Sequence, residues 1–419
     1  THIHLIGMET NKTGCYLNPI VKKIWPPMRH YQYKIFLQVA GGCQKDGDGQ
    51  RVKDTMLTHI KQITIVSFLI LFPPMIKKTG DINLRKTTFF FIFWTMDKQR
   101  TQINPTCTIS WNSLTLQEWQ RRFNMIRRAP LLQSYDYAIA ASPVLNQKPR
   151  WGLIFMDGQE AGLVQLMEVG ILKNSLHAVQ MDLGPLWFSG YGSPDHWRAF
   201  LDQYNTHFPR RIGRRRRILP HLDYSAANEQ LFRDVGLPRK STPPYQTIWL
   251  DLTKDDQTLL SDMKGKRRNN IRKAAKNDLH IMWDTHGRDL PWLMNHYIKD
   301  RISKQYIGPS PRLIKSMHQA FKPHGNFLMA TATKNNDKIA AILIFLHGKS
   351  ATYQIGWSSD EGKKMNAHSL LIWESCKRLR KAGILDYDLG GINEKSAKNV
   401  KKFKEAFGGE TVTYLGHYC

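Results

Sequence analysis

The stretch Asn326–Trp357 reads NFLMATATKNNDKIAAILIFLHGKSATYQIGW, and it decides the fold. Its three apolar runs have the length of strands and cover residues 326–333, 339–347 and 350–357. The polar residues Asn335–Asp337 separate the first two runs, and polar turn residues between apolar runs predict an antiparallel hairpin. A helical pattern over 367–382 and a short strand pattern over 387–389 follow. The stretch therefore predicts a meander of antiparallel strands, then a helix, then one more strand.

A similar order of elements occurs in the first half of the chain. A helix, two strands around a turn, a third strand, a second helix and a basic strand are predicted at residues 116–126, 151–156, 160–167, 181–188, 197–204 and 214–219. Acyltransferase domains of the GNAT type have this order of elements, and both halves resemble them. The resemblance implies an α/β (α+β) fold of two tandem GNAT-like acyltransferase domains, with central mixed sheets flanked by helices.

The domain limits follow from the same patterns. We predict GNAT-like domain 1 at residues 96–250 and GNAT-like domain 2 at residues 251–419. We expect the two domains to pack side by side around a cleft, because ligand sites favour domain interfaces. A final strand near Thr411–Leu415 is expected to cross back and complete the first domain.

Residues 1–95 differ from the rest of the chain. They mix Gly, Pro and Lys with isolated apolar runs and show no sustained helical or strand period. We predict that they are a poorly ordered or non-native N-terminal extension, upstream of a natural start at Met96. Their apolar run Ile63–Phe72 is shorter than the roughly 20 residues that span a bilayer. We therefore expect no transmembrane helix, and no leading signal peptide is predicted.

Composition narrows the class of partner. The formal net charge is +27, from 61 Lys and Arg against 34 Asp and Glu. Such an excess indicates a polyanionic partner: nucleic acid, nucleotide phosphates or an anionic membrane surface. The five cysteines show no CxxC and no metal-ligand spacing, so we predict no disulfide framework and no metal site. No cofactor is predicted. The cytoplasm is the expected compartment, and contact with the inner face of the membrane is an open alternative.

The most basic segment is Lys264–His280, KGKRRNNIRKAAKNDLH, with seven basic residues and one acidic residue. In a single helix over 257–276, basic residues at i, i+4 spacing form one row. This row consists of Lys264, Arg268, Arg272 and Lys276. The apolar residues of another face are Leu260, Met263, Ile271 and Ala274. The pattern predicts an anchored amphipathic helix whose basic face either binds a polyanion or is simply solvated.

Several motifs follow one another as they do in one known family. They are KGKRRNNIRKAAKNDL (264–279), AHSLLIWESCKRLRKAGILDYDLGGIN (367–393), VKKFKEAFGGETVTYLG (400–416) and, in the first half, QSYDYAIA (133–140) with DLGPLWF (182–188). In this order and spacing the chain resembles the Fem-type (FemABX) aminoacyltransferases over about residues 110–416. The resemblance implies transfer of an amino acid from aminoacyl-tRNA to an amino group of a peptidoglycan precursor, either nucleotide-linked or lipid-linked. No stable protein partner is inferred.

The resemblance also implies candidate catalytic residues. Lys404 matches a lysine of the active cleft that can stabilise developing negative charge or bind the terminal phosphates of the tRNA. Phe403 matches the aromatic residue beside it, whose backbone groups lie at the reacting centre. Asp388, at a strand end before Gly390 and Gly391, is a candidate to accept a proton or orient the amine. The alternatives are a charged surface run for Lys404 and a simple turn cap for Asp388.

Aromatic, glycine and basic residues supply the candidate binding sites. The substrate-binding candidates for the precursor are Tyr135, Tyr353, Trp357, Gly390 and Gly391. Single aromatics of this kind also occur in cores, and two adjacent glycines let a backbone approach a ligand closely. The tRNA-binding candidates are Lys264, Arg268, Arg272 and Lys276, because Lys and Arg neutralise phosphates.

Two other classes of function stay open. An acetyl-CoA- or acyl-CoA-dependent GNAT N-acyltransferase has the same fold and binds pyrophosphate with an R/Q-x-x-G-x-G/A loop. Here Lys363 is followed by Asn366 and His368 at the two glycine positions, and an imidazole there crowds the pyrophosphate. A non-catalytic nucleic-acid-binding protein explains the charge but leaves DLGGIN and FKEAFGGE without a role.

Overall fold

The computed structural model describes residues 4–11, 14–17, 89–93, 105–392 and 398–419. The chain divides into two units, residues 1–102 and 103–419. In the first unit, β1 (His4–Asn11) pairs antiparallel with β2 (Gly14–Leu17) and with β3 (Phe89–Phe93). The other residues of the 1–95 segment, including the apolar run at 63–72, lie outside the described residues. The proposal of a poorly ordered or non-native extension stays a prediction.

The second unit, residues 103–419, contains two mixed sheets and the helices that flank them. The strands of its first sheet are β4 (Cys107–Trp111), β5 (Lys148–Met156), β6 (Gln159–Ile171), β7 (Leu176–Gly184), β8 (Leu186–Trp187) and β9 (Arg214–Pro220). The strands of its second sheet are β10 (Gln246–Asp251), β11 (His280–Asp284), β12 (Phe327–Lys334), β13 (Asp337–His347), β14 (Ser350–Ser358), β15 (Asp386–Asp388) and β16 (Glu410–Thr413). The helices are α1 (Leu116–Phe123), α2 (Tyr135–Leu145), α3 (Pro194–His207), α4 (Ala226–Asp234), α5 (Asp256–Asp262), α6 (Gly265–Lys276), α7 (Leu290–Lys304), α8 (Pro311–Phe321), α9 (Asp360–Lys364), α10 (Ala367–Lys381) and α11 (Lys398–Glu405).

The two sheets repeat one topology. Strands β4 to β7 form an antiparallel meander and β9 then pairs parallel to β7; in the same way, β11 to β14 form a meander and β15 pairs parallel to β14. The second sheet also includes β10 and β16, in the order β11-β12-β13-β14-β15-β10-β16. The predicted fold class, with two tandem GNAT-like arrangements, is confirmed. The domain limits at 96–250 and 251–419 stay a prediction, and the second sheet begins at Gln246.

The C-terminal strand differs from the expectation. Strand β16 pairs with β10 inside the second sheet, so it does not complete the first sheet. The residues after it reach the first half: Tyr414 bridges Asp223, and Tyr418 bridges Ile218 and Arg239. The buried ring of Tyr418 packs in the core of the first half, and this contact holds the C-terminal residues against that half.

Local sequence determines where several helices begin. Thr115 and Glu118 form a capping box at α1, with the Thr115 N–H donating to the Glu118 carboxylate at 2.8 Å. Ser193 caps α3 and Ser310 caps α8, each followed by a proline in the first turn. A proline is tolerated there because its missing N–H has no partner in the first turn.

The predicted single helix over 257–276 is wrong, because it is broken between α5 and α6. Met263 is extended (ψ 147°), and the Lys264 N–H donates to the Ala406 carbonyl at 3.1 Å. Gly408 approaches so closely that a Cβ on it would lie 2.2 Å from the Asp262 carbonyl oxygen. A tertiary contact with residues 406–408 therefore overrides the local helical pattern. Of the residues predicted for the apolar face, Met263, Ile271 and Ala274 are buried and Leu260 is half-buried.

The two halves of the second unit share a packed boundary. The fully buried carboxylate of Asp386 accepts from Arg127 at 2.7 and 2.9 Å, and the Arg128 guanidinium lies 3.5 Å away. At a second point, buried Asp136 on α2 contacts His324 at 2.8 Å and accepts from Asn326 at 2.9 Å. These charges are paired where they are buried, as the cost of burying them requires.

A helix that crosses a bilayer must be both long and apolar. Over the described ranges, no helix meets both conditions.

Candidate active site

The site is built where two parallel strands of the second sheet stop pairing. Strand β14 pairs with β15 from Ser350–Asp386 to Thr352–Asp388 and then continues to Ser358. The chain that leaves β15 after Asp388 turns away from β14 at Gly390, whose φ of +76° favours glycine. In the first half, the equivalent strands β7 and β9 stay paired from His177–Arg214 to Gly184–Pro220. The early end of pairing in the second sheet leaves room for side chains between the strand ends.

Lys404 lies at this opening. It extends from α11, and its Nζ donates to the carbonyl oxygens of Gly390 at 3.1 Å and Gly391 at 3.0 Å. The same Nζ lies 5.7 Å from the centre of the Tyr353 ring. A lysine ammonium has three donors, and among the described residues these two carbonyls are its hydrogen-bond acceptors, so a third donor is left for a ligand. The structure thus brings together the predicted residues Lys404, Gly390, Gly391 and Tyr353.

Asp388 is the acidic neighbour of this lysine. Its Oδ1 accepts from the Gly390 N–H at 2.8 Å and from the Thr247 hydroxyl. Burial raises the pKa of Asp388, opposed by these two hydrogen bonds and by the positive charge of Lys404. The bond to Gly390 is the turn cap that the sequence allowed as an alternative. The same carboxylate therefore holds the turn and lies near enough to Lys404 for their charges to interact.

Burial also governs the charge of Lys404, a residue that is 7% exposed. Desolvation lowers the pKa of Lys404 to about 8, while the negative charge of Asp388 opposes the shift. At neutral pH the ammonium keeps its proton but holds it much less tightly than an exposed lysine. It can therefore stabilise developing negative charge or give up a proton near neutral pH.

Phe403 is oriented by Arg267, a residue that the sequence analysis missed as a candidate. Arg267 is buried on α6 and donates from Nη2 to the Phe403 carbonyl at 3.2 Å. Its guanidinium lies 4.2 Å from the centre of the Phe403 ring and 4.7 Å from that of Phe407, and it also donates to the Ser369 hydroxyl. Burial lowers the pKa of Arg267 to about 10. The signal was its spacing, because position 267 is on the apolar face with 271 and 274.

His368 is the second missed residue. Its Nε2 lies 3.2 Å from the Tyr353 hydroxyl, and its ring packs edge-to-face on Phe403 at 5.3 Å. Burial lowers the pKa of His368 to about 4, and the positive charges of Arg267 and Lys404 add to the shift. The imidazole is therefore neutral at pH 7. In the sequence it was considered only as a departure from a CoA-binding loop.

Gly356 makes room for this pair of side chains. A Cβ at Gly356 would lie 2.5 Å from both the His368 Cε1 and the Tyr353 hydroxyl oxygen. Real Cβ atoms do not approach other atoms this closely. The glycine is thus required for the hydrogen bond between Tyr353 and His368.

Two predicted substrate-binding aromatics have other contacts. Trp357 lies 4.1 Å from the His296 ring centre and 5.4 Å from that of Trp292, both on α7. It follows a register shift in the β13–β14 pairing, and it packs with a different core cluster from Tyr353. Tyr135 stacks on Trp151 in the first half at 4.9 Å. The ring partners of Trp357 and Tyr135 are therefore residues other than Tyr353, Phe403 and His368 near Lys404. The binding roles of both aromatics stay predictions.

The predicted basic row is divided. Lys264, Arg272 and Lys276 are exposed. Arg268 is partly buried, and its Nη1 donates to the carbonyls of Ser261 at 3.0 Å and Leu260 at 3.4 Å. Its guanidinium therefore closes the C-terminus of α5, where carbonyls lack helical partners. Three exposed cations of the row remain for a polyanion.

A comparison with known families matches residues 262–405 to the model described as acetyltransferase (GNAT) domain. This range encloses Arg267, Tyr353, His368, Asp388 and Lys404. Residues 262–405 are therefore similar to a GNAT acetyltransferase domain. Acyl transfer is the class of reaction that the match supports. In the described part of the chain, no group of His, Cys, Asp and Glu is arranged to hold a metal ion.

One solved structure is similar over about three-quarters of the chain. The crystal structure of FemX is similar with a TM-score of 0.61 and 15% identity, over 74% of this chain and 96% of that chain. This likeness confirms the predicted Fem-type resemblance at the level of the fold. No curated protein matches the chain by sequence.

Two further solved structures are less similar. A tandem GNAT protein from the clavulanic acid biosynthesis pathway has a TM-score of 0.41 and 11% identity, over 74% of this chain and 98% of that one. L-PGS from Bacillus licheniformis has a TM-score of 0.37 and 11% identity, over 62% of this chain and 81% of that one.

Proposed function

We propose that this chain transfers an amino acid from aminoacyl-tRNA to an amino group of a peptidoglycan precursor stem peptide. The observation that carries the proposal is Lys404, which is buried in FKEAFGG and uses two of its three donors on the Gly390 and Gly391 carbonyls among the described residues. This geometry agrees with the role that the Fem-type resemblance implies for the lysine. We place the reaction in the cytoplasm, where aminoacyl-tRNA is found.

The reaction requires the protein to stabilise an oxyanion and to supply a proton to the leaving oxygen. A neutral amine attacks the ester carbonyl and a tetrahedral oxyanion develops; its collapse breaks the bond to the ribose oxygen, which gains a proton while the amine nitrogen loses one. The remaining donor of Lys404 can bind the oxyanion or protonate the ribose oxygen. With a pKa of about 8, its ammonium is charged at pH 7 and is a stronger acid than an ordinary lysine. The Phe403 backbone, held by Arg267, lies next to this donor along the chain.

Exposed basic residues on and before α6 would bind the aminoacyl-tRNA. The exposed residues Lys264, Arg272 and Lys276 lie on or directly before α6, the helix that also places Arg267 beside Phe403. A polynucleotide along this helix would therefore run close to the reacting group. Each phosphate neutralised adds a salt-dependent share of affinity.

Acyl-CoA is the alternative donor, and His368 argues against it. Its imidazole packs between Tyr353 and Phe403 at the start of α10, and Asn366, at the other position that the CoA loop gives to a small residue, is the left-handed N-cap of that helix. In CoA-dependent relatives this segment is the pyrophosphate loop. Side chains here fill positions where small residues would admit backbone N–H groups to the phosphates.

The test compares donors and one pair of variants. Purified protein is given a stem-peptide acceptor with either tRNA charged with radiolabelled amino acids or radiolabelled acetyl-CoA. We expect label transfer from tRNA, and Lys404→Ala should reduce it about 100-fold, as loss of an oxyanion donor does. Filter binding of charged tRNA should stay within about twofold. The exposed neighbour Lys402, changed to Ala, is the matched control and should leave transfer unchanged.

Two results would contradict the proposal. Transfer from acetyl-CoA without transfer from tRNA would assign the chain to the CoA-dependent enzymes. Tight tRNA binding without transfer from either donor would favour the non-catalytic binding protein.

A further inference from the structure

One end of the first-half sheet carries apolar side chains in water. They belong to the β6–β7 hairpin tip and to the segment before β9, and their exposed fractions are 57% for Ile171, 73% for Leu172, 48% for Leu176 and 100% for Ile212. We name these four residues, with Lys173, Arg210 and Arg215, the tip patch. Soluble proteins rarely leave such a group exposed unless it binds something.

The strand register places apolar and basic residues side by side. Ile171 pairs with Leu176, and Val169 pairs with Ala178, across β6 and β7. Ala178 in turn pairs with Arg215 on β9. A groove of about 580 Å³ lies over this row and is lined by these residues. An apolar strip is thus bordered by arginine on one sheet face.

The segment Pro209–Arg217 reads PRRIGRRRR and contains six arginines and no acidic residue. Some of them hold the fold: Arg211 donates to the Ser175 carbonyl at 2.8 Å, and buried Arg216 donates to Asn205 at 2.7 Å. Arg210, Arg211, Arg215 and Arg217 are exposed. Within the described residues, the carboxylate that pairs with these exposed arginines is Asp182, 3.2 Å from Arg217. Most of the positive charge beside the apolar side chains is therefore uncompensated.

We propose that the tip patch docks on the surface of an anionic lipid bilayer. Aliphatic side chains at a tip can enter the headgroup region while neighbouring arginines meet lipid phosphates, and the two effects together give stable peripheral binding. RNA fits the patch less well, because surfaces for single-stranded RNA add aromatic stacking to charge, and the patch has no aromatic residue. This surface is separate from the acyl-transfer site and does not depend on the proposed donor or acceptor.

Vesicle flotation tests the proposal with the full chain and no acyl donor or acceptor. Vesicles of phosphatidylglycerol and phosphatidylcholine (about 30:70) should bind the protein, and vesicles of phosphatidylcholine alone should bind it far less. Arg210→Gln with Arg215→Gln should weaken binding about 30-fold, or about fivefold for each arginine. Ile212→Ser should weaken it about tenfold, because a buried isoleucine is lost. Leu172→Asn is a second apolar variant, and asparagine tolerates the left-handed backbone at that position.

Matched controls lie elsewhere on the chain. Arg272→Gln with Lys276→Gln removes the same charge from α6, and Ile307→Ser changes an isoleucine that is 99% exposed. Both should leave vesicle binding within about twofold. Equal binding to phosphatidylcholine alone, or equal loss in the controls, would overturn the proposal.

Two other occupants are distinguished by the same variants. If Arg210→Gln with Arg215→Gln lowers the affinity for uncharged tRNA and leaves vesicle binding intact, the patch is an RNA surface and the proposal fails. If Ile212→Ser converts a dimer into a monomer by light scattering and leaves vesicle binding intact, the patch joins two copies of the chain. Normal vesicle binding by both apolar variants would also refute bilayer docking.

Discussion

The charge state of Lys404 should control how acyl transfer depends on pH. Burial lowers the pKa of this lysine from its ordinary value of 10.5 to about 8, which corresponds to roughly 3 kcal/mol against the ammonium at about 1.36 kcal/mol for each pH unit. About nine-tenths of the molecules carry the ammonium at pH 7, and about one-tenth carry it at pH 9. If the ammonium acts on the oxyanion or the leaving oxygen, this factor in the rate should fall about tenfold over that range.

Two substitutions should move the alkaline fall in rate in opposite directions. Lys404→Arg brings a group whose ordinary pKa is about two units above that of lysine, and even buried Arg267 keeps a pKa of about 10, so the alkaline fall should move up to about pH 10 even though the altered geometry lowers the rate. Asp388→Asn removes the negative charge that supports the ammonium, so the fall should move below pH 8. The amide keeps an oxygen where Oδ1 now accepts from Gly390 and Thr247, and the turn should therefore survive.

The assay is kcat/KM for the aminoacyl-tRNA from pH 6 to pH 10 at constant ionic strength. Short single-turnover reactions, corrected for spontaneous ester hydrolysis, keep the donor intact at high pH. Deprotonation of the acceptor amine raises every profile with pH, so each variant is compared with the wild type at the same pH. An alkaline fall at one common pH in the wild type and Asp388→Asn would refute the reasoning, as would a fall near pH 8 in Lys404→Arg.

Two further predictions concern the site's neighbours. Gly356→Ala should reduce kcat at least tenfold, because its Cβ would displace His368 and Tyr353. The control Gly265→Ala, whose Cβ would lie 3.8 Å from the Arg268 side chain, should keep activity and gain about 0.5–1 kcal/mol of stability. Equal activity of both variants would exclude a role for the Tyr353–His368 pair. Replacing Lys264, Arg272 and Lys276 by Gln should flatten the log–log salt dependence of tRNA binding by about 0.7–0.9 for each phosphate that is no longer neutralised. Lys315→Gln on α8 is the exposed control and should leave the slope unchanged. An unchanged slope in the triple variant would mean that the basic row is only solvated.

Much of the fold was predictable because its signals are local. The runs around Asn335–Asp337 alternate between apolar strands and a polar turn, and this pattern corresponds to β12 and β13 within two residues. The order of elements in both halves also predicted the repeated meander. Such signals depend on backbone preferences and side-chain spacing within a few residues.

The candidate site was predictable only in part. The motif FKEAFGG and the glycines after Asp388 led to Lys404, Gly390 and Gly391, and the structure brings these residues together. Arg267 and His368 were missed because their importance depends on the residues that cover them. The role of Arg268 was also beyond local analysis, because its guanidinium turns back to the end of α5.

The sequence by itself determined the two α/β halves, the excess of positive charge and the motifs around Lys404. Only the tertiary structure decided which cations are buried, which are exposed and where strand pairing stops. Arg267 contacts Ser369 and Phe403, 102 and 136 residues away along the chain, and no local pattern contains such information. Because a pKa depends on desolvation and on charges nearby in space, the chemistry of Lys404 was decided by folding.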